Sequence, residues 1–192
     1  MIRLVDVCKQ FDGKTVLEHF HLHLEKGQHY ALMGPSGSGK TTLLNLLMGL
    51  TKPDSGQIEL QPGLRISAVF QENRLLEGMT AEANIRLVAP ESAQNARNLL
   101  LELGIEEESL PLPVRAYSGG MKRRAAIARA LLAQYDLLLL DEPYKGLDED
   151  TRQQVQTIVE RMTAGKTVLM VTHDPEDAAG HRLIELKNGA GE

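Results

Sequence analysis

The sequence has little cysteine, no long apolar run and no excess of basic residues, the features expected of secreted, membrane-spanning and nucleic-acid-binding proteins respectively. It contains one cysteine, Cys8, so no disulfide can form within the chain, and a reducing, cytosolic setting is expected. No apolar run approaches the roughly 18 residues that a membrane-spanning helix requires, and the densest run covers only residues 137–140. The 21 Lys and Arg residues are outnumbered by 26 Asp and Glu residues, which argues against binding nucleic acid through a broad basic field.

Aromatic residues are also scarce, with three Phe, four Tyr and no Trp. The core must therefore consist mainly of aliphatic side chains, a composition that suits helices packed on a sheet. Hydrophobic residues make up 42% of the 192 positions, which is typical of a folded globular chain rather than a disordered one. We expect residues 1–192 to form a single domain, because this length leaves no room for two full-sized ones.

The order of hydrophobic patterns predicts an α/β fold with a mostly parallel sheet. The segments Ile2–Val7 and Val16–Leu24 are typical of half-exposed strands, so we expect an antiparallel β lobe at the N-terminus. Short apolar segments beginning at residues 29, 137, 167 and 182 indicate buried strands of a parallel sheet. From about residue 71 to about residue 134 the pattern becomes helical, which predicts a helical lobe inserted into the α/β core.

A glycine-rich segment follows the predicted strand at residues 29–33. Residues Gly34–Thr41 read GPSGSGKT and fit the phosphate-binding pattern G-x-x-x-x-G-K-[ST]. Its glycines allow successive backbone N–H groups to face a polyphosphate at the N-terminus of the next helix. We expect Lys40 to reach the β- and γ-phosphates and the Thr41 hydroxyl to bind Mg²⁺. The nucleotide-binding residues predicted here are Gly34, Pro35, Ser36, Gly37, Ser38, Gly39, Lys40, Thr41 and Thr42.

Two carboxylates follow the apolar strand at residues 137–140. Ligands of parallel sheets bind at the carboxyl ends of the strands, so Asp141 and Glu142 are expected to face the phosphates. Asp141 would hold Mg²⁺, and Glu142 would polarise the attacking water as a general base. If the pair stood alone, a solvated acidic turn would be the better interpretation. Beside a phosphate-binding loop, the catalytic interpretation is favoured.

A third motif, YSGGM at Tyr117–Met121, stands directly before a strongly helical stretch. Ser118 could be only the N-cap of that helix. Together with the glycine loop and the acidic pair, in this order, the motif makes the chain resemble the ATP-binding subunits of ABC transporters over essentially its whole length. The resemblance implies that Ser118, Gly119 and Gly120 close over the γ-phosphate of ATP held by a second subunit in a head-to-tail dimer.

Four further positions acquire roles only through this resemblance. Phe11 corresponds to an aromatic residue that stacks on adenine, and Gln71 to a glutamine that touches Mg²⁺ and links the helical lobe to the core. Asp148 lies in a dimer-facing loop, and His173 corresponds to a switch histidine that contacts the γ-phosphate. Taken singly, they could be a core aromatic, a surface amide, a helix cap and a structural histidine. The implied Mg²⁺ ligands are Thr41, Gln71 and Asp141.

The chain also departs from the common pattern of that family. Tyr117 stands where leucine is usual, Met121 where glutamine is usual, and Tyr144–Gly146 (YKG) replaces a loop of small residues. The variant SGGM is similar to that of nitrate-, sulfonate- and taurine-type importers. Lys122–Arg124 is predicted to be the solvated start of a helix.

The resemblance implies an ATPase that drives transport, with ATP and Mg²⁺ as ligands. Its partners would be a second copy or a homologous subunit and integral membrane permease subunits, and it would lie on the cytoplasmic face of the membrane. The apolar residues Leu75, Leu76 and Met79 are candidates for contact with such a permease, although packing within the helical lobe is an equal alternative.

Three other classes compete with this interpretation. Repair-type ATPases of the same superfamily carry a long coiled coil between the glycine loop and the signature motif, but Lys40 and Ser118 are only 78 positions apart. Ribosome-associated relatives normally contain two such domains in one chain. A P-loop kinase for a small molecule would give no role to the SGG segment or to His173, and would need an acceptor other than water.

Overall fold

Two sheets divide the strands according to how they pair. The computed structural model describes residues 2–187 and 190–191. One sheet is antiparallel, with the order β2-β1-β4, and the other has the order β5-β6-β7-β3-β8-β9, in which all pairs except the last are parallel. The strands are β1 (Ile2–Phe11), β2 (Lys14–Leu24), β3 (His29–Met33), β4 (Ser55–Leu60), β5 (Ile66–Val69), β6 (Leu137–Asp141), β7 (Thr167–Val171), β8 (Arg182–Lys187) and β9 (Ala190–Gly191). The predicted α/β class and the N-terminal antiparallel lobe are confirmed.

The helices fall between these strands. They are α1 (Lys40–Leu47), α2 (Ala81–Arg86), α3 (Ala93–Glu102), α4 (Gly119–Leu132) and α5 (Glu149–Thr163), with 3₁₀ turns at Pro90–Ser92, Glu107–Ser109 and Val114–Ala116. The helices α2, α3 and α4 come between β5 and β6. None of the helices within residues 2–187 and 190–191 is long and apolar enough to span a lipid bilayer.

The first strand is longer than its hydrophobic pattern predicts. The pattern ends at Val7, but β1 continues to Phe11 because it pairs with β2 across a tight turn, with Phe11 opposite Lys14. Gly13 in that turn has φ +76°, a conformation that glycine adopts without strain. Backbone pairing therefore extends the hairpin beyond the residues that supply its hydrophobic core.

The buried strand β6 packs against both layers of the molecule. Leu137 and Leu139 face the antiparallel lobe and α1, whereas Leu138 and Leu140 face α5 and the helical segment. All four are buried, and side chains alternate between the faces of a strand. Burial on both faces explains why this strand has a continuous apolar run rather than an alternating pattern.

The helical segment shares a hydrophobic cluster with one face of the parallel sheet. The predicted periodic helix containing Ala96 and Leu100 is α3, and the chain turns at Gly104, which has φ +77°. Both α3 and α4 contribute buried side chains to the cluster that contains Leu138 and Leu140. The inserted helices are thus packed onto the α/β core through one continuous set of contacts.

Candidate functional site

The parallel register brings three loops to one edge of the sheet. Leu32 of β3 and Asp141 of β6 both lie opposite Val171 of β7, so the glycine loop, the acidic pair and the segment around His173 emerge side by side. A cavity of about 530 Å³ lies at this edge. The predicted site residues that line it are Gly34, Ser36, Gly37, Gly39, Lys40, Thr41, Thr42, Gln71, Asp141, Glu142 and His173. Val16, Lys145 and Val171, which were not predicted, line it as well.

The glycine loop forms one wall of this cavity. The Lys40 side chain folds back over the loop, and its Nζ donates hydrogen bonds to the carbonyls of Gly34 (2.7 Å) and Pro35 (2.8 Å). Gly39 has φ +103°, and a Cβ there would lie 2.9 Å from Cγ1 of Val16, so only glycine fits. Ser38 is buried, and its hydroxyl has no hydrogen-bond partner among the described residues. A loop that holds a cation and an unpaired hydroxyl beside a cavity is suited to an anionic ligand.

Asp141 ends β6 in a buried position beside the cavity. Burial raises the pKa of Asp141, and the charge of Glu142 raises it further, while Arg123, Lys40 and Lys145 act in the opposite direction. A bound cation would stabilise the ionised form. The residues predicted as Mg²⁺ ligands, Thr41, Gln71 and Asp141, all line this cavity, and their side chains carry oxygen donors, the ligands that Mg²⁺ prefers. The donor set therefore fits this ion.

Glu142 is the next residue, and its backbone has the uncommon φ of +46°. Its N–H donates to the Val171 carbonyl (2.9 Å), which helps to hold this conformation. Its two carboxylate oxygens have separate partners, Lys145 Nζ at 2.6 Å from Oε2 and His173 Nδ1 at 3.3 Å from Oε1. The hydrogen bond from Lys145 lowers the pKa of Glu142, and the contact with His173 adds to this effect. Glu142 is therefore ionised near neutral pH, as a general base must be.

Comparison with known proteins assigns this arrangement to a family. Residues 17–145 match the family model described as "ABC transporter". The chain belongs to the ABC transporter family. It is 42% identical to the aliphatic sulfonates import ATP-binding protein SsuB 3 of Rhodococcus jostii, an alignment that covers 98% of this chain and 72% of that protein. It is 38% identical to the taurine import ATP-binding protein TauB of Escherichia coli O157:H7, over 100% of this chain and 81% of that protein.

Solved structures of the ABC family share the whole fold. The dimeric structure of MJ0796, a bacterial ABC transporter cassette, matches with a TM-score of 0.89 and 31% identity, covering 100% of this chain and 97% of that one. A post-hydrolysis state of the same cassette, bound to ADP and Pi, matches with a TM-score of 0.86 and 30% identity, covering 98% of that chain. The ABC subunit described here is accordingly an ATP-binding and ATP-hydrolysing protein.

The predicted dimer-facing residues of this ABC subunit lie outside the cavity formed by their own chain. Ser118 caps α4, where its Oγ accepts a hydrogen bond from the Met121 N–H (3.2 Å). Gly119 in the first turn is exposed. Asp148 caps α5 by accepting a hydrogen bond from the Thr151 N–H (3.0 Å). Both side chains therefore act as helix caps, and none of Ser118, Gly119, Gly120 and Asp148 lines the cavity around Lys40.

The predicted adenine-stacking residue also stands apart from that cavity. Phe11, at the end of β1, is 46% exposed, and Nζ of Lys9 lies 5.1 Å from its ring centroid. Val16 of the neighbouring strand lines the cavity next to the glycine loop. An exposed ring leaves a face open to a planar ligand, so stacking on a nucleotide base remains a prediction for Phe11.

The structure corrects one prediction, that Lys122–Arg124 is solvated. Arg123 is only 4% exposed, and its guanidinium donates to five main-chain carbonyls. Two of them, Phe70 and Gln71, belong to the segment that links β5 to the helical lobe, and the other three belong to the last residue of β6 and the two residues after it. The acceptors in the second group are Asp141 (2.7 Å), Glu142 and Pro143 (2.9 Å). Arg123 thus joins the Gln71 segment to the acidic pair.

A second arginine of α4 reinforces this connection. Arg129 donates to the carbonyls of Asn73 (3.2 Å) and Arg74 (2.7 Å), which follow Gln71. Helical spacing carries a signal for the burial of Arg123, because it stands three and four positions before the buried residues Ala126 and Ile127. The three adjacent basic residues obscured that signal. The helix that begins with Ser118 therefore holds both the Gln71 segment and the acidic pair.

We expect Arg123→Met to lower the free energy of unfolding by about 3 kcal/mol, because it would leave buried carbonyls without a donor. Lys122→Met is the matched control, since Lys122 pairs at 3.0 Å with the exposed Glu77, and such pairs contribute at most about 1 kcal/mol. Urea unfolding of both variants measures the difference. Equal, small losses in the two variants would contradict the linking role of Arg123.

Proposed function

We propose that this chain is the ATP-hydrolysing subunit of an ABC importer and that its site is completed by a second chain. The observation that supports the catalytic part is the convergence of Lys40, Asp141, Glu142 and His173 on one cavity at the carboxyl edge of the sheet. The importer part is supported by relatives named for the import of sulfonates and taurine. Residues 1–192 would act as one domain, with the segment of about 71–134 as its helical insertion.

Each group in the cavity has a distinct chemical task in this reaction. Lys40 and the backbone N–H groups of Gly34–Thr41 would hold the β- and γ-phosphates, and Thr41, Gln71 and Asp141 would hold Mg²⁺. When bound, Mg²⁺ would supply positive charge that offsets the negative charge of the phosphates. Glu142 would orient water and accept its proton, and His173 would contact the γ-phosphate. Hydrolysis then depends on positioning and charge stabilisation rather than on a covalent intermediate.

The location of the signature motif supports completion of the site by a second chain. Ser118–Gly120 is placed at the exposed start of α4 and does not line its own chain's cavity. The N–H groups of a helix N-terminus attract anions, so this segment is suited to a γ-phosphate bound by another copy. Asp148, at the exposed start of α5, would face the same interface. Phe11 would stack on the adenine base.

The proposed membrane partner would contact the helical lobe. Leu76 is 53% exposed, and Leu87 and Val88 are also exposed on this lobe. Leu75 and Met79 are partly buried, and Leu75 packs against the hydrophobic cluster of the lobe. Of the three predicted contact residues, Leu76 is therefore the best candidate to meet a permease. Such a contact would place the chain on the cytoplasmic face of the membrane.

The general-base role of Glu142 predicts that Glu142→Gln retains ATP binding but loses hydrolysis by about 100-fold or more. The amide keeps the shape of the side chain but cannot accept the proton, so an ATP-dependent dimer should accumulate. Phosphate release and size-exclusion chromatography with ATP measure both effects. Glu102→Gln, which removes an exposed carboxylate paired with Arg161 (2.6 Å), should leave turnover unchanged. Unchanged turnover in Glu142→Gln would remove this residue from its assigned role.

The permease contact predicts that affinity purification of the tagged chain from native membranes recovers an integral membrane protein. Leu76→Glu should abolish this recovery while leaving the basal ATPase rate intact, because a charge would be desolvated in the contact. Leu60→Glu, at an exposed position on the antiparallel lobe, is the matched control and should retain the partner. Recovery of ribosomal proteins instead of a membrane protein would overturn the transport assignment.

A further inference from the structure

Lys145 lies in the nucleotide cavity although no role in the reaction has been given to it. It follows the acidic pair by three residues, in the segment Tyr144–Gly146, and lines the cavity together with Lys40, Glu142 and His173. Its Nζ is 2.6 Å from Oε2 of Glu142. The Lys145 ammonium thus forms an ion pair with the carboxylate that would accept the proton from water.

This ion pair engages an oxygen of the carboxylate that would act as the base. Oε1 of Glu142 is already in contact with Nδ1 of His173, so the Lys145 contact leaves neither carboxylate oxygen without a partner. A general base must have an oxygen within hydrogen-bond reach of the attacking water. Because the Lys145 ammonium holds Oε2 and lowers the basicity of the carboxylate, this arrangement disfavours proton transfer from water until Lys145 gives up Oε2.

Lys145 can exchange Glu142 for another partner easily, because its side chain is exposed. The Lys145 side chain is 56% exposed, whereas that of Glu142 is 19% exposed. Exposed ion pairs contribute little stability, and a lysine ammonium on a flexible stem can change partner without backbone movement. A phosphate group carrying about two negative charges competes strongly for such a cation. Lys40, which also lines the cavity, is likewise held by oxygens of its own chain.

We propose that Lys145 is a second γ-phosphate-binding lysine, which pairs with Glu142 and transfers to the γ-phosphate when ATP binds. The transfer releases Oε2 of Glu142 for the attacking water, a role that rests on the proposed assignment of Glu142 as the base. ADP has no γ-phosphate and leaves the Lys145–Glu142 pair in place. Lys145 thus distinguishes ATP from ADP and couples the presence of the γ-phosphate to the release of the base.

The experiment measures affinity rather than turnover. Isothermal titration calorimetry with Mg²⁺ compares ADP with the imido analogue of ATP, which retains a γ-phosphate but is not hydrolysed. Lys145→Met should weaken binding of the analogue by about 10-fold and that of ADP by less than about 2-fold, because only the analogue offers the new partner. Lys145→Gln should show the same selective loss, and Lys145→Arg should keep most of the preference because it keeps the charge.

Lys166→Met is the charge-matched control, since Lys166 lies before β7, at the opposite edge of the sheet, with its Nζ 5.9 Å from the ring centroid of Tyr135. It should bind both nucleotides as the unchanged protein does. Equal effects of Lys145→Met on the two nucleotides, or no effect on either, would overturn the inference while leaving the proposed function in place. Failure of the unchanged protein to bind either nucleotide would overturn both.

Discussion

The in-register pairing of three parallel strands is the constraint on which the candidate site depends. Val171 of β7 lies opposite both Leu32 and Asp141, so the residues that follow these strands leave the sheet at the same height. A shift of one residue in any strand would turn its side chains to the other face and separate the glycine loop from the acidic pair. The leucines of β6, buried on both faces, strongly disfavour such a shift.

One helix connects this edge to the rest of the molecule. Its first residues carry the signature motif, and Arg123, one turn later, holds the carbonyls of the Gln71 segment and of the acidic pair. A buried guanidinium must be satisfied by hydrogen bonds, because leaving it unpaired is costly. Movement of the Gln71 segment is therefore expected to move α4 and the catalytic edge with it.

The sequence predicts the parts of the site that local patterns encode. The glycine loop needs a particular order of residue types, and the acidic pair follows a strand that is apolar throughout, so both can be recognised without a structure. Arg123 could not be recognised in the same way, because its acceptors in the Gln71 segment are about 50 positions away in the chain. The unusual residue Lys145 is visible in the sequence, but no local pattern predicts its contact with Glu142, whose backbone is left-handed. The hydrophobic pattern predicts too early an end for β1, because backbone pairing with β2, rather than hydrophobic side chains, extends this strand to Phe11.

The sheet edge assembles only part of the proposed site, because Ser118–Gly120 lies outside the cavity of its own chain. The central claim, that a second chain supplies this segment, is tested most directly by mixing Lys40→Ala with Ser118→Arg. Each variant alone would carry a lesion at both of its sites, whereas a mixed dimer has one intact site and one that carries both lesions. The account predicts that mixing the inactive proteins restores part of the ATPase rate, in proportion to dimer formation. Full activity in a strictly monomeric preparation would contradict it, and heterodimers that form on crosslinking but stay inactive would mean that the signature acts within its own chain or that the two sites are obligately coupled.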